Sequence, residues 1–138
     1  MTSTFNPKPV PVVHSMNEAF FEGSAKGELR VGHCPKCDAL FRFAYYLCPE
    51  CWSQDLSWKK AKGTGRISHF TIIHQAPWEA FEADAPYTLA LIELDEGVRM
   101  MSNIINFPPE KVKIGLPVKV VFEQRGDIAL PMFEVIEG

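Results

Sequence analysis

Cys34-Pro35-Lys36-Cys37 and Cys48-Pro49-Glu50-Cys51 are two CxxC turns ten residues apart, and together they use all four cysteines of the 138-residue chain. Two thiolates three positions apart on a tight turn grip one side of a metal ion, and a second such turn completes a tetrahedron. The ten residues between them suit a short hairpin over residues 39–47, with Phe41, Phe43, Tyr45 and Tyr46 available to shield the sulfurs. A strand from Glu28 to His33 leads into the first turn. The spacing therefore predicts a zinc ribbon over residues 28–58. So small a ribbon has almost no core of its own, and ligation of structural zinc, worth on the order of 10 kcal/mol or more, supplies the missing stabilisation.

Three chemistries fit paired CxxC turns. Structural zinc is favoured, because four thiolates fill the shell and leave no position for water or substrate. Iron of the rubredoxin type is the main rival, since both knuckles carry Pro after the first Cys. The glycine that usually follows the second Cys is replaced by Asp38 and Trp52. Asp tolerates the left-handed conformation moderately and Trp poorly, so the second knuckle is expected to depart from ideal geometry. Thiol-disulfide exchange is the third reading, and it normally needs a CxxC opening a helix in a βαβ unit, which the pattern lacks.

An elimination follows. If all four cysteines are ligands, none remains as a nucleophile, and a closed site performs no metal catalysis. His14, His33, His69 and His74 lack metal-binding spacing, and GxSxG, HExxH, P-loop and dinucleotide fingerprints are absent.

Composition agrees with a single core plus a stapled module: the chain is 46% hydrophobic. No run approaches the roughly 18 apolar residues of a membrane span, and Met1 to Pro7 lacks the basic and apolar regions of a signal peptide. The expectation is a cytoplasmic protein, where reducing conditions favour a metal site over disulfides. A net charge of -3 argues against broad binding of a phosphate backbone.

Upstream of the knuckles, Pro7, Pro9 and Pro11 prevent a helix. With Val10, Val12 and Val13 they read as a disordered tail or as an extended arm laid on a partner. Ser15-Met16-Asn17-Glu18 has the form of a capping box, and Met16, Ala19 and Phe20 recur at helical spacing, so a helix is predicted from about Met16 to Lys26, ended by Gly27. Phe20 and Phe21 should point in two directions, one ring to the body and one to a groove or partner, unless both pack on the ribbon.

Downstream, five strands are predicted: Arg66 to His74, Tyr87 to Leu94, Val98 to Asn106, Pro117 to about Glu123, and Pro131 to Ile136. Thr88, Ala90, Ile92 and Leu94 share one face of the second, and Asp95-Glu96-Gly97 turns into the third. Gly63 and Gly65 suit a sharp turn into the barrel or a bulge, and Gln124 to Asp127 is a turn. Five short strands with a break between the third and fourth match the Greek-key order of an OB barrel. The fold class is mainly β: an N-terminal arm and helix over 1–27, the ribbon over 28–58, and the OB-fold domain over 59–138. One connection, Gln75 to Pro86, is long enough to be functional or disordered, and Trp78 and Phe81 within it suggest binding.

The motifs also carry a resemblance. The amphipathic N-terminal helix, both CxxC turns, Gly63-Thr64-Gly65-Arg66, Pro86-Tyr87, Leu94-Asp95-Glu96-Gly97-Val98-Arg99, Ile114-Gly115-Leu116-Pro117-Val118 and Leu130-Pro131-Met132-Phe133 together resemble the thiolase-associated family. Its small members join a rubredoxin-like zinc ribbon to an acyl-CoA-associated OB-fold and were long catalogued as a domain of unknown function. The likeness spans about residues 16–136, and Asp38 and Trp52 depart from it. It implies a non-catalytic accessory subunit, in a hetero-oligomer with a thiolase-fold catalytic subunit: a ketothiolase, acyltransferase or aldolase. It further implies structural Zn2+, and coenzyme A or acyl-CoA as a shared ligand. Lys59, Lys60, Lys62 and Arg66, with Arg99 and Lys113, are then candidates for the coenzyme's phosphates, against the alternative of a solvated basic face. Phe20, Trp78 and Phe81 are candidates for partner contact. A reading from another class, an OB-fold protein binding single-stranded nucleic acid through a basic groove and stacking aromatics, is opposed by the acidic balance of the chain.

Overall fold

The structure is a computed structural model and describes residues 10–13, 15, 17–41, 47–75 and 79–136. The helix, α1 (Glu18–Ala25), starts later than predicted, because the capping box does not form. Asn17 is the N-cap and makes no side-chain cap bond. Its Nδ2 instead donates to the Val12 carbonyl at 3.0 Å, tying the extended arm to the helix. Met16 and His14 lie outside the described residues. The far end is as predicted: Gly27 has φ 78°, its N–H bonds the Ser24 carbonyl at 3.1 Å, and Glu28 N–H reaches the Gly23 carbonyl at 2.8 Å. These are the paired bonds of a left-handed C-cap, satisfying carbonyls that a helix end leaves open. Phe20 and Phe21 do not diverge, which is the second of the two courses left open to them. Their rings meet edge to face at 5.3 Å, and Phe20 also lies 6.2 Å from Trp58. Consecutive helical side chains are only about 100° apart, so two long rings can converge on one groove.

The ribbon is a three-stranded antiparallel sheet of β1 (Arg30–His33), β2 (Leu40–Phe41) and β3 (Ser57–Lys60), in the order β2-β1-β3. Strand β3 was not anticipated, since Ser57-Trp58-Lys59-Lys60 shows no alternation of polarity. It forms because β1 offers a free edge, and Arg30 pairs with Lys60 and His33 with Ser57. Phe43, Tyr45 and Tyr46 fall outside the described residues.

The second sheet closes into a barrel of β4 (Thr64–Ile73), β5 (Tyr87–Leu94), β6 (Arg99–Ile104), β7 (Pro117–Arg125) and β8 (Ile128–Val135), ordered β4-β5-β6-β8-β7. Neighbours are antiparallel except β6 and β8, which are parallel and joined at a single pair, Ile104 with Phe133. Strand β5 runs over the predicted residues, and Thr88, Ala90, Ile92 and Leu94 are all buried. Gly65 marks a close approach rather than a bulge: a Cβ there would stand 2.3 Å from the Glu93 carbonyl oxygen. The bulge falls further on, between Ile67 and His69. Strand β8 begins three residues before Pro131, because at that point only β7 pairs with it and the missing proline N–H costs no ladder bond. Leu29 and Val31, at the start of the ribbon, join Ile67, Ile92, Val118 and Phe133 in one apolar cluster, which binds ribbon to barrel.

Candidate metal centre

The two knuckles are near copies of each other. In the first, Asp38 N–H bonds the Cys34 carbonyl at 2.7 Å and Cys34 N–H bonds the Ala39 carbonyl at 2.9 Å. In the second, Trp52 N–H bonds the Cys48 carbonyl at 3.0 Å and Cys48 N–H bonds the Ser53 carbonyl at 2.9 Å. Asp38 and Trp52 occupy the glycine positions at φ 65° and 68°. The second knuckle therefore keeps the geometry of the first, contrary to expectation, and Trp52 bears the left-handed strain. Trp52 is 76% exposed, so little packing offsets that strain.

All four sulfurs lie within 4.8 Å of one another, with Cys34 to Cys51 at 3.5 Å and Cys37 to Cys48 at 3.6 Å. A tetrahedron with Zn–S bonds of about 2.3 Å has edges of about 3.8 Å, so the donor set fits zinc with little adjustment. The electrostatics point the same way. At Cys48 burial raises the thiol pKa, but the N–H groups of Cys51 and Glu50, 3.5 and 3.3 Å from Sγ, together with the Cys37 and Cys34 thiols, outweigh it and bring the thiol down to about 7. At Cys37 the Ala39 N–H acts downward, while desolvation and contact with the other three sulfurs push the thiol up to about 12. Thiols this close cannot all ionise unless a cation sits among them. Zn2+ held by Cys34, Cys37, Cys48 and Cys51 would neutralise that repulsion and close the shell with sulfur alone. His33 stands outside the shell: its Nε2 is 2.6 Å from Asp38 Oδ1 and its Nδ1 is 3.3 Å from Ser57 Oγ. That bond, with the charge of His33 behind it, holds the Asp38 carboxyl below its ordinary value.

The basic candidates are spread over both sheets. Lys59 and Lys60 are consecutive on β3, so their side chains leave opposite faces of the ribbon. Lys62 is exposed beyond it, and its backbone N–H donates to Glu96 Oε2 at 2.8 Å. Arg66 is on the barrel and donates from Nη1 to the Gly115 carbonyl at 3.0 Å, in the loop that also carries the exposed Lys113. Across the sheet Arg66 faces Glu93, which pairs at 3.5 Å with Arg99. Arg66, Glu93 and Arg99 thus form one row in which charge alternates.

Of the aromatic candidates, Phe20 lies between α1 and Trp58, and Phe81 is half-buried in the 3-10 helix Glu79–Asp84 with the Arg125 guanidinium 5.9 Å from its ring centre. Trp78 lies outside the described residues. Arg125 escaped the sequence reading, which assigned it to a turn. It ends β7, its side chain is 14% exposed, and it bonds Glu123 Oε2 at 2.8 Å. The signal was the two-residue spacing of Glu123 and Arg125, which puts both on one face of a strand.

Helix, tetrathiolate ribbon and closed barrel define a class of protein: a zinc ribbon joined to an OB-fold. Known proteins narrow it. Residues 21–57 match the family model of the ChsH2 rubredoxin-like zinc ribbon domain, and residues 58–123 match that of the ChsH2 C-terminal OB-fold domain. The chain belongs to this family, also called DUF35. It is 36% identical over 92 residues to a DUF35 domain-containing scaffold protein of Methanothermobacter thermautotrophicus, covering 66% of this chain and 68% of that one. It is 34% identical over 127 residues to a protein of Thermomonospora curvata named "Probable enoyl-CoA hydratase alpha subunit", covering 91% of this chain but only 39% of that protein. Among solved structures it resembles the Ltp2-ChsH2(DUF35) aldolase, with a TM-score of 0.82 and 32% identity over 91% of this chain and 98% of that one. Relatives are thus named as subunits of enzyme complexes or as scaffolds. Among the described residues, no helix is long and apolar enough to cross a membrane.

Proposed function

We propose that this chain is a non-catalytic, zinc-binding accessory subunit of a thiolase-type acyl-CoA enzyme complex, acting in the cytoplasm. The observation that carries the reading is the convergence of every cysteine on one closed cluster, which leaves no thiol for acyl transfer and no open metal position. Support comes from relatives named as a hydratase subunit, a scaffold and an aldolase component. The partner would supply the catalytic Cys or His, while this chain stabilises it and helps to enclose the acyl-CoA. Arg66 and Lys113, which border one loop, are the first candidates for the coenzyme's phosphates. Arg99, Lys62, Lys59 and Lys60 follow, and Phe20, Phe81 and Trp78 remain the candidates for partner contact.

The test is co-expression with candidate thiolase-fold proteins from the same genome, followed by size-exclusion chromatography and an acyl-CoA assay. One complex with an activity absent from either chain alone is the expected result. Separate elution, with full activity of the thiolase-fold protein on its own, contradicts the reading.

A further inference from the structure

The two knuckles share one backbone but not one setting. The first is a hairpin loop inside the ribbon sheet: His33 pairs with Leu40 across the loop and, on its other side, with Ser57 of β3. The second belongs to no strand among the described residues. Side chains widen the difference. His33 Nε2–H donates to Asp38 Oδ1 at 2.6 Å, linking the residue before Cys34 to the residue after Cys37. Its Nδ1 lies 3.3 Å from Ser57 Oγ, which also donates to the His33 carbonyl at 3.3 Å. One imidazole thus ties both ends of the first knuckle to the neighbouring strand. The equivalent positions around Cys48 and Cys51 are Leu47 and Trp52, both exposed. Leu47 has no polar atom, so no such bond can close the second knuckle.

Exposure alone ranks the four sulfurs differently. Cys34 and Cys48 are buried, Cys51 is half-buried and Cys37 is exposed, so accessibility would make Cys37 the first to leave a metal. Restraint opposes this, because a sulfur departs only when its knuckle opens, and segments with few holding contacts open first. Cys37 stands directly before the clasped Asp38. In the second knuckle the buried Cys48 also accepts the Glu50 N–H at 3.3 Å, whereas Cys51 has neither full burial nor a clasp beside it. We infer that His33 is a positioning residue of the metal centre: its bond to Asp38 holds Cys37 in the shell, and Cys51 is thereby the ligand that leaves first. This role goes beyond the accessory function proposed above and does not depend on it, since it needs neither a partner subunit nor acyl-CoA.

The test uses the zinc-loaded full chain. With limiting N-ethylmaleimide, peptide mass spectrometry should place the first label on Cys51. His33→Leu, which copies the second knuckle, should move the first label to Cys37 and speed zinc loss to excess EDTA about fivefold, the effect of one lost hydrogen bond. Asp38→Gly should do the same, and because glycine adopts positive φ without strain, a distorted knuckle cannot account for the result. Asp38→Asn keeps an acceptor for His33 Nε2–H and should leave the label on Cys51 and the rate within about twofold of the parent. A first label on any other cysteine of the unaltered chain would overturn the role of His33. So would an unmoved label or an unchanged rate in either His33→Leu or Asp38→Gly, or zinc loss from Asp38→Asn as fast as from Asp38→Gly.

Discussion

In the barrel, Ile67, Ile92, Val118 and Phe133 are each at most 1% exposed and belong to a cluster that draws on every strand of the closed sheet. In the ribbon, among the described residues, the separate cluster consists of Cys34, Phe41 and Cys48, with Ala39, Cys51 and Leu56 against it. One region is held by apolar area and the other by whatever binds its sulfurs. The difference teaches that metal and core are separable supports, although Leu29 and Val31 fasten the ribbon's first strand to the barrel's cluster.

Removing the metal should separate them most sharply. Chelation, or Cys48→Ser, should cost the ribbon on the order of 10 kcal/mol of local stabilisation. Amide protection should then vanish over residues 28–58 and persist in β5 and β7, as hydrogen exchange would report. Protection lost evenly through the chain would break the comparison. The reciprocal experiment is Phe133→Ala, which empties the centre of the barrel and should cost about 3–5 kcal/mol in urea unfolding. The folded fraction should still bind one zinc per chain by elemental analysis.

Smaller changes probe the backbone of each region. Gly65→Ala drives a Cβ to 2.3 Å from the Glu93 carbonyl oxygen, where neither backbone can yield freely. Overpacking of this kind costs about 1–3 kcal/mol, to be read from the urea midpoint, with zinc affinity unchanged. Trp52→Gly works in the opposite direction. Trp52 sits at φ 68° and is largely exposed, so glycine relieves about 1–2 kcal/mol of left-handed strain and loses part of it to unfolded-state entropy. A net gain of about 0.5–1 kcal/mol in ribbon stability is expected from the same exchange experiment, with the barrel unaffected.

These positions also show what a sequence reveals. The four-cysteine cluster was legible because thiolate spacing is a chemical constraint that no neighbour can override. Strand β5 was legible because the short apolar run Tyr87 to Leu94 is bounded by Pro86 and by the Asp95-Glu96-Gly97 turn. Gly27 announced the end of α1 because positive φ favours glycine there. Other features depended on partners distant in sequence. Strand β3 exists through its pairing with β1 and has no pattern of its own. Asn17 took the cap because its amide found the Val12 carbonyl, and Phe20 and Phe21 converged on a groove that Trp58 helps to line. Arg125 gained its setting only when Phe81, 44 positions earlier, was brought beneath it. The basic stretch at Lys59 to Arg66 is continuous in sequence but divided in space, because it crosses from ribbon to barrel.

The central claim is that the four cysteines form a closed, structural shell that leaves chemistry to a partner. Zinc X-ray absorption on the purified chain tests it most directly. We expect one zinc per chain with four sulfur neighbours at about 2.3 Å and no lighter ligand. A shell with fewer than four sulfurs and an oxygen or nitrogen in the remaining place would contradict the account, because an open position would return the metal to the list of catalytic groups.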